Sequence, residues 1–406
     1  MFKGVRIALI CIAVCATAAT LQAQCPGFNK TKNTNLACEL ATGLRGSTNT
    51  TEFDSLRSFY VTMGGQLSQL PIASAASVSG ITIGASGLPT VSTDSLGTIL
   101  TQRGKTIGKH KLLLSFNFQR FGFERADGIS LKDLLFVFNP FPGSGIFYQD
   151  NSRISFRVDQ FTSLATFGLT DKIDVSFILP FSRVSLDTAT TATQICIGCV
   201  LGVPQITALT PDPLYLPGSA SGIGDVRVNV KANVLGTEGK TSLAIGGEVR
   251  FPSGDALNFL GTGAYGIKPY LVISRRGRVT PNVSIGYQWN GSSVLNFGKN
   301  LPASFLYAGG ADFRVDKRLT LTAEFLGQYV INAPRLTLQT VTIPLVGDRS
   351  SVTTFNGSYA VDNASFGFKL NPFKNLILSA SALVKLDQGG LRQRTVDPLF
   401  GAAYRF

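Results

Sequence analysis

Residues 222–234 read GIGDVRVNVKANV. From Asp225 onward the polar residues Asp225, Arg227, Asn229, Lys231 and Asn233 alternate with Val226, Val228, Val230, Ala232 and Val234. A strand points successive side chains to opposite faces, so this stretch has one apolar face and one charged face. In a soluble sandwich the valines would fill a core. In a membrane barrel they would meet lipid, and the charges would line a wet interior.

The same alternation recurs along the chain. It predicts twelve strands, near 110–123, 152–169, 173–186, 222–235, 241–252, 264–276, 279–290, 303–315, 319–332, 358–370, 376–386 and 397–406. Most are longer than the usual 5 or 6 residues of a soluble sheet and suit a tilted bilayer crossing. The apolar faces read Ile154, Phe156 and Val158; Val175, Phe177, Leu179 and Phe181; Leu243, Ile245, Val249 and Phe251. They continue as Val283, Ile285, Tyr287 and Trp289, then Leu319, Leu321, Phe325 and Tyr329. Twelve such faces exceed what one soluble core would bury, so they are assigned to lipid. Phe123, Phe251, Tyr265, Trp289 and Tyr329, near strand ends, are expected as interfacial girdles.

The connections sharpen this. TDK at 170–172, GTEGK at 236–240, RRGR at 275–278, VDKR at 315–318 and NPFKN at 371–375 are short and follow the even strands. The connections 124–151, 187–221, 253–263, 291–302, 333–357 and 387–396 are longer and follow the odd ones. Short–long alternation is the mark of an outer-membrane barrel, with tight turns inside and long loops outside. A Greek-key sandwich has no reason to produce it. The fold class expected is therefore all-β, a transmembrane antiparallel up-and-down barrel of about twelve strands, with a polar N-terminal extension or plug. Bacterial outer membrane is the expected location. The chain ends DPLFGAAYRF, and the terminal Phe406 on an alternating strand is similar to the ending that the barrel assembly machinery reads.

Residues 1–23 read as a signal peptide: Lys3 and Arg6, an apolar run from Ile7 to about Leu21, and Ala23 at the cleavage point. The run is too short to span a bilayer, and no apolar stretch of 18 residues follows it. The chain carries 37 Lys and Arg against 24 Asp and Glu, a net charge of +13. The basic residues are scattered and make no nucleic-acid patch, so lipid phosphates, lipopolysaccharide or anionic solutes are the expected partners. Cys25, Cys38, Cys196 and Cys199 remain after export and suggest pairs 25–38 and 196–199. QICIGC has redox or zinc spacing, but no further ligand lies near it, and a small loop closure is expected.

Residues 24–108 form a separate polar segment ahead of the barrel at 109–406. Phe53, Leu56, Tyr60 and Met63 are spaced for a helix over about 52–63, interrupted by Gly64 and Gly65. The segment either plugs the lumen or hangs as a tail. The inward set expected comprises Arg157 and Asp159; Asp225, Arg227 and Lys231; Glu248, Arg250 and Lys268; Asp312 and Arg314; Glu324 and Lys369. These charges either pair with one another or line a solute path with anion preference. The loop 124–151 carries Phe136, Phe138, Phe141, Phe147 and Tyr148, an apolar surface that either caps the barrel or extends its strands.

Catalytic chemistry finds little support. The one histidine, His110, sits at the start of the first strand, and a nucleophile–base pair has no second candidate base of that kind. GTGAYG at 261–266 matches a phosphate-loop pattern but leads into a strand, so its glycines read as bends of a turn. No catalytic residue, cofactor or metal site is expected.

The Gly222, Gly224 and Asp225 strand opening, the FPSGD loop with Pro252, Gly254 and Asp255, GTG at 261–263 and IGY at 285–287 together resemble a family of outer-membrane transporters named for the MetA pathway of phenol degradation. The resemblance covers 221–290 best and the other strands in pattern. It implies an outer-membrane barrel passing small hydrophobic or aromatic compounds, by passive uptake or efflux, and supplies no catalytic residues. The alternative reading is a structural or adhesive surface barrel whose long loops, 187–221 above all, bind partners.

Overall fold

The computed structural model describes residues 35–44, 50–67, 70, 81–83, 89–91, 96–139, 142–200, 203–210, 212–236, 241–373, 376–393 and 396–405. The signal peptide, Cys25, Phe141 and Phe406 lie outside them. Twelve strands form the barrel: β1 Leu112–Ala126, β2 Ile146–Gly168, β3 Ile173–Val200, β4 Arg227–Leu235, β5 Thr241–Arg250, β6 Gly266–Arg275, β7 Val279–Asn290, β8 Ser304–Arg314, β9 Leu319–Ile343, β10 Gly347–Phe373, β11 Leu376–Lys385 and β12 Val396–Arg405. Each pairs antiparallel with the next, and β12 closes on β1 through Phe400 opposite Phe118 and Leu399 opposite Gln119. Closure leaves no strand edge in the bilayer, where an unpaired backbone group would find no water. No described helix is long and apolar enough to cross a membrane.

The belt on the outer wall follows the alternation. Phe177, Val230, Ile245, Val283, Phe313 and Phe366 all point outward and stay exposed. One cross-strand row marks its upper edge. Phe118, Phe161, Phe181 and Ile223 are paired in sequence across neighbouring strands and face out. One step further, the outward row is Arg120, Asp159, Arg183 and Ser221, with Arg120 Nε 2.5 Å from Asp159 Oδ1. Here the wall leaves the membrane.

The two faces exchange character at this row. Below it the inward residues are mainly polar, including Asn117, Thr162 and Thr166, with Leu164 and Ile178 as apolar exceptions. Above it they are apolar: Phe121 and Phe123 on β1, Ile154, Phe156 and Val158 on β2, Val184 and Leu186 on β3. These seven side chains form a conventional core, because water now bathes the outer wall. The assignment of Ile154, Phe156 and Val158 to lipid, and of Phe123 to a girdle, is therefore corrected: all four point inward and are buried. Tyr265 and Trp289 do stand exposed near strand ends, Tyr329 is exposed but in the middle of the long β9, and Phe251 is half-buried.

Several stretches read as loops are strand. β2 and β3 extend to Ile146 and Val200, and β9 and β10 continue through 330–360 to a turn at 344–346. Strands Val203–Ala208 and Leu214–Ile223 pair back onto β3, so little of 187–221 is free. The strand Leu134–Phe138 pairs with β2, and Val137 N donates to Ser351 Oγ of β10 at 2.8 Å. Val137, Ile195 and Ile343 pack together there, joining the two tall hairpins. The apolar loop surface is corrected accordingly. Phe136 and Phe138 are buried, and Phe147 and Tyr148 are half-buried, with Phe138 stacked on Tyr148 at 5.6 Å.

Two helices sit inside this upper core. In α1, Leu36–Leu44, Asn35 Oδ1 accepts from Cys38 N at 2.9 Å and caps the helix, and Leu36, Leu40 and Leu44 form its buried face. α2, Thr50–Leu67, buries Phe59, Met63 and Leu67. It runs through Gly64 and Gly65 rather than stopping, and Gly64 lies against the Leu295 side chain, which would have to shift for a Cβ. Phe259 joins the helices to the wall, with ring centroids 5.9 Å from Tyr60 and 6.2 Å from Phe156. Cys196 and Cys199 are disulfide-bonded at the tip of β3, in strand rather than loop, and Cys38 is disulfide-bonded as well.

The boundary row makes a stability prediction. Phe177→Arg, in the middle of the belt, is expected to cost about 2–4 kcal/mol in unfolding from phospholipid vesicles. Arg157→Leu, on the outer wall above the row, should stay within about 0.5 kcal/mol of the parent. The reverse ranking would overturn the position given to the membrane edge.

Candidate functional site

The inward polar face below the boundary row is where a solute path would run. It is occupied by residues 96–107, which make no strand pairing with the wall and are held by side chains. Glu324 accepts from the backbone N–H groups of Ile99, Leu100 and Thr101 at 3.1, 2.9 and 2.7 Å, and from Thr101 Oγ1 at 2.9 Å. Lys369 Nζ donates to Thr98 O at 2.6 Å, and Thr320 Oγ1 accepts from Leu96 N at 3.1 Å. Arg103 is ion-paired with Asp312. Lys231 Nζ reaches Lys105 O at 2.8 Å and Arg103 O at 3.3 Å, and Asn233 Nδ2 donates to Gly104 O at 2.7 Å. At the short-turn end Asp174 accepts from Ile107 N at 3.1 Å.

Four of the charges expected along a solute path, Lys231, Asp312, Glu324 and Lys369, thus hold this segment. Arg314 shares the inward face with Asp312 and is half-buried. Arg157 and Asp159 are corrected: both point outward above the membrane edge. The alternation was read correctly, but the inward face was assigned to the wrong side, because the inside of the wall is apolar at that height. His110 is exposed in a turn with φ +58°, next to the short-turn end, where its N–H donates to Gly168 O.

Between the segment, α2 and the wall lies a cavity of about 240 Å³. Leu100, Thr101 and Gln102 bound it on one side, and Gln66 and Leu70 on another. Its charged wall is a row across three strands, Asn229 opposite Glu248 opposite Lys268. Glu248 sits between two cations, Lys268 Nζ at 2.9 Å and Arg227 Nη1 at 3.8 Å. Tyr270 OH donates to Asn229 Oδ1 at 2.8 Å. Its apolar wall comprises Phe121, Phe123, Leu164 and Ile178. Sequence reasoning missed Tyr270, Arg392 and Gln393 here. Arg392 and Gln393 were in a stretch read as loop, where periodicity gives no facing. Among the described residues no cluster of metal-ligating side chains is present.

The remaining inward charges, Asp225 and Arg250, build a joint in the wall. Leu214–Ile223 and β4 are two parts of one stave along β3, interrupted at 224–226. Asp225 there accepts from Gly254 N at 3.1 Å, from Thr262 N at 2.8 Å and from Thr262 Oγ1 at 2.6 Å, with Arg250 Nε at 3.6 Å. Gly254 and Gly261 pass so closely that a Cβ on either would meet the other's backbone. Asp255 caps the short helix Ala256–Asn258 through Leu257 N and Asn258 N. The Gly-x-Gly-Asp, Pro-x-Gly-Asp and GTG motifs are therefore one structure. Above the joint, Glu39 of α1 packs against Gly218, and burial pushes its carboxyl up.

The family model described as "Putative MetA-pathway of phenol degradation" matches residues 153–390, from β2 into the stretch before β12. No curated protein matches the chain. Among solved structures, an outer membrane channel from Pseudomonas putida F1 is 14% identical, with TM-score 0.47, over 74% of this chain and 97% of that one. A Pseudomonas aeruginosa FadL homologue is 10% identical, with TM-score 0.31, over 74% and 90%. A mutant of the monoaromatic hydrocarbon channel TodX is 9% identical, with TM-score 0.27, over 73% and 90%. The closed strand barrel with its apolar belt is a barrel of the bacterial outer membrane.

Asp225 holds the joint together. Asp225→Ala removes a buried partner of Arg250 and three hydrogen-bond acceptances, and should cost about 3–5 kcal/mol in urea unfolding of the micellar protein. Asp255→Ala, which removes an exposed cap and the exposed hydrogen bond from Asn258 Nδ2, should cost about 0.5–2 kcal/mol.

Proposed function

The chain belongs to the family described as "Putative MetA-pathway of phenol degradation", and from that membership we propose a channel for passive passage of small solutes, hydrophobic and aromatic ones among them. One observation carries the reading. The lumen below the membrane edge is polar and holds a segment, 96–107, attached by side chains and not by a strand ladder. The wall's own hydrogen bonds do not depend on that segment, so it can leave without opening the barrel. A barrel built only for surface display has no use for such an arrangement. The adhesive alternative rested on a free loop at 187–221, and most of that stretch is paired strand.

In this reading the short turns face the periplasm, residues 1–23 direct export, and residues 24–108 act as a plug. Lipid and lipopolysaccharide contact the belt and the wall above it. The assembly machinery recognises the C-terminal Phe406. The protein works as a channel and not as an enzyme: exposed His110 lies in the turn at the short-turn end, away from the cavity.

The test is conductance in planar bilayers, with swelling of liposomes in aromatic acids and phenols. The full chain should conduct weakly. Removal of residues 24–107 should raise conductance at least several-fold, and Glu324→Ala with Lys369→Ala should raise it in part. Retention of the barrel is checked by heat-dependent gel mobility. A folded deletion variant that neither conducts nor admits solute would end the channel reading.

A further inference from the structure

The cavity is unevenly furnished. Asn229 Nδ2, Gln393 Nε2 and Arg392 Nε are buried, and each lacks a hydrogen-bond partner. All three belong to residues that line the cavity, and all are donors. Asn229 is oriented by its other atom: Oδ1 is taken by the Tyr270 hydroxyl, which leaves the amide N–H group as the free end. A buried donor without a partner costs free energy, so the cavity is matched to an acceptor the chain does not provide.

Charge points the same way. Arg227, Lys231, Lys268 and Arg392 line the cavity against two carboxylates, Asp174 and Glu248, with a third, Asp387, paired to Arg392. The two lining carboxylates are already engaged, Glu248 by Lys268 and Arg227, Asp174 by Lys231 at 3.6 Å and by Ile107 N. Further round the wall Phe121, Phe123, Leu164 and Ile178 offer carbon, with Gln393 paired beside Phe123. At about 240 Å³ the space is smaller than the roughly 300–1,000 Å³ of sites for drug-sized ligands.

We propose that this cavity is a binding site for a small amphipathic carboxylate, its anionic end on the Asn229 and Lys268 side and its ring or short alkyl chain toward Phe121 and Phe123. The inference rests on the channel reading and names the solute class it handles. A neutral phenol fits less well, since its hydroxyl brings a donor to a wall already rich in donors and brings no charge. An ammonium compound fits worst.

Fluorine NMR on the full-length protein in detergent, equilibrated overnight at neutral pH, tests this with fluorobenzoate, fluorophenol and fluorobenzylamine. Fluorobenzoate should bind at least tenfold more tightly than fluorophenol, and fluorobenzylamine should not bind. Lys268→Gln and Asn229→Asp should each weaken fluorobenzoate about tenfold, and Lys268→Arg should restore it. Heat-dependent gel mobility identifies any variant that has lost the barrel. The proposal is overturned by equal or tighter binding of the phenol or the amine, by no fluorobenzoate binding, or by binding unaffected in both folded variants. Flux is read separately in liposomes. Uptake without carboxylate preference in binding ends this inference alone. Carboxylate binding without uptake by the deletion variant leaves the site standing and ends the channel reading.

Discussion

A bilayer gives a backbone amide nothing to bond with, and the structure is organised around that fact. Twelve strands meet it by closing β12 onto β1. The interruption at 224–226 is the point where the ladder fails near the membrane edge, and nearby groups replace the missing partners. Ser253 Oγ accepts from Val226 N and donates to Gly224 O, each at 2.9 Å. Gly224 N reaches Pro180 O, and Phe251 N reaches Val226 O, each at 2.8 Å. Asp225 then fixes the loop that supplies these groups. The glycine-rich motifs exist because the two backbone segments must approach within a distance that a Cβ forbids.

The second constraint is that the wall outgrows the membrane. A strand has a period of 2 throughout, but the medium outside changes along its length. On β2 the even positions face in from Ser152 to Thr166, and the chemistry inverts at Gln160, whose amide bonds Gln119 at 2.8 Å and Ser182 at 3.3 Å. Lipid outside demands an apolar outer face and permits a polar lumen. Water outside permits a polar outer face and rewards an apolar interior. The apolar interior is then available to seat α1 and α2, which bury Leu36, Leu40, Phe59 and Met63 at 2% exposure or less.

This inversion explains what was legible in the sequence. Alternation and turn spacing located all twelve strands, because both are local properties of the chain. The inward sides of β4 and β5 were also legible, since Arg227, Lys231 and Glu248 stand opposite lipid-facing valines and isoleucines. Ile154, Phe156 and Val158 were misassigned because periodicity separates two faces without saying which medium each one meets. The tall hairpins were hidden for a related reason: Thr-rich stretches such as 188–193 and 337–342 are neither apolar nor turn-like, so they resemble loop. Asp174 and Tyr270 joined the site through pairings that cross strands. No single strand's pattern carries such information.

The way residues 96–107 are held bears on how they could be released. A segment built into the sheet would leave unpaired backbone on the wall when it departed, and the barrel would resist. Here the wall presents acidic, basic and polar side chains, while the segment presents mainly backbone N–H and C=O groups, with Arg103 adding an ion-paired side chain. On departure Glu324 and Lys369, both inward on neighbouring strands, become accessible to water entering the lumen. Hydration then replaces the lost hydrogen bonds one for one, so the net cost per bond falls to the modest value of an exchange with solvent. The opposing cost lies higher up, where withdrawing α1 and α2 would wet the apolar interior around Phe156 and Phe259. Release of the lower segment with the helices left in place is therefore the less costly motion. It frees the polar lumen on one side of the cavity and leaves the hydrophobic roof above it intact.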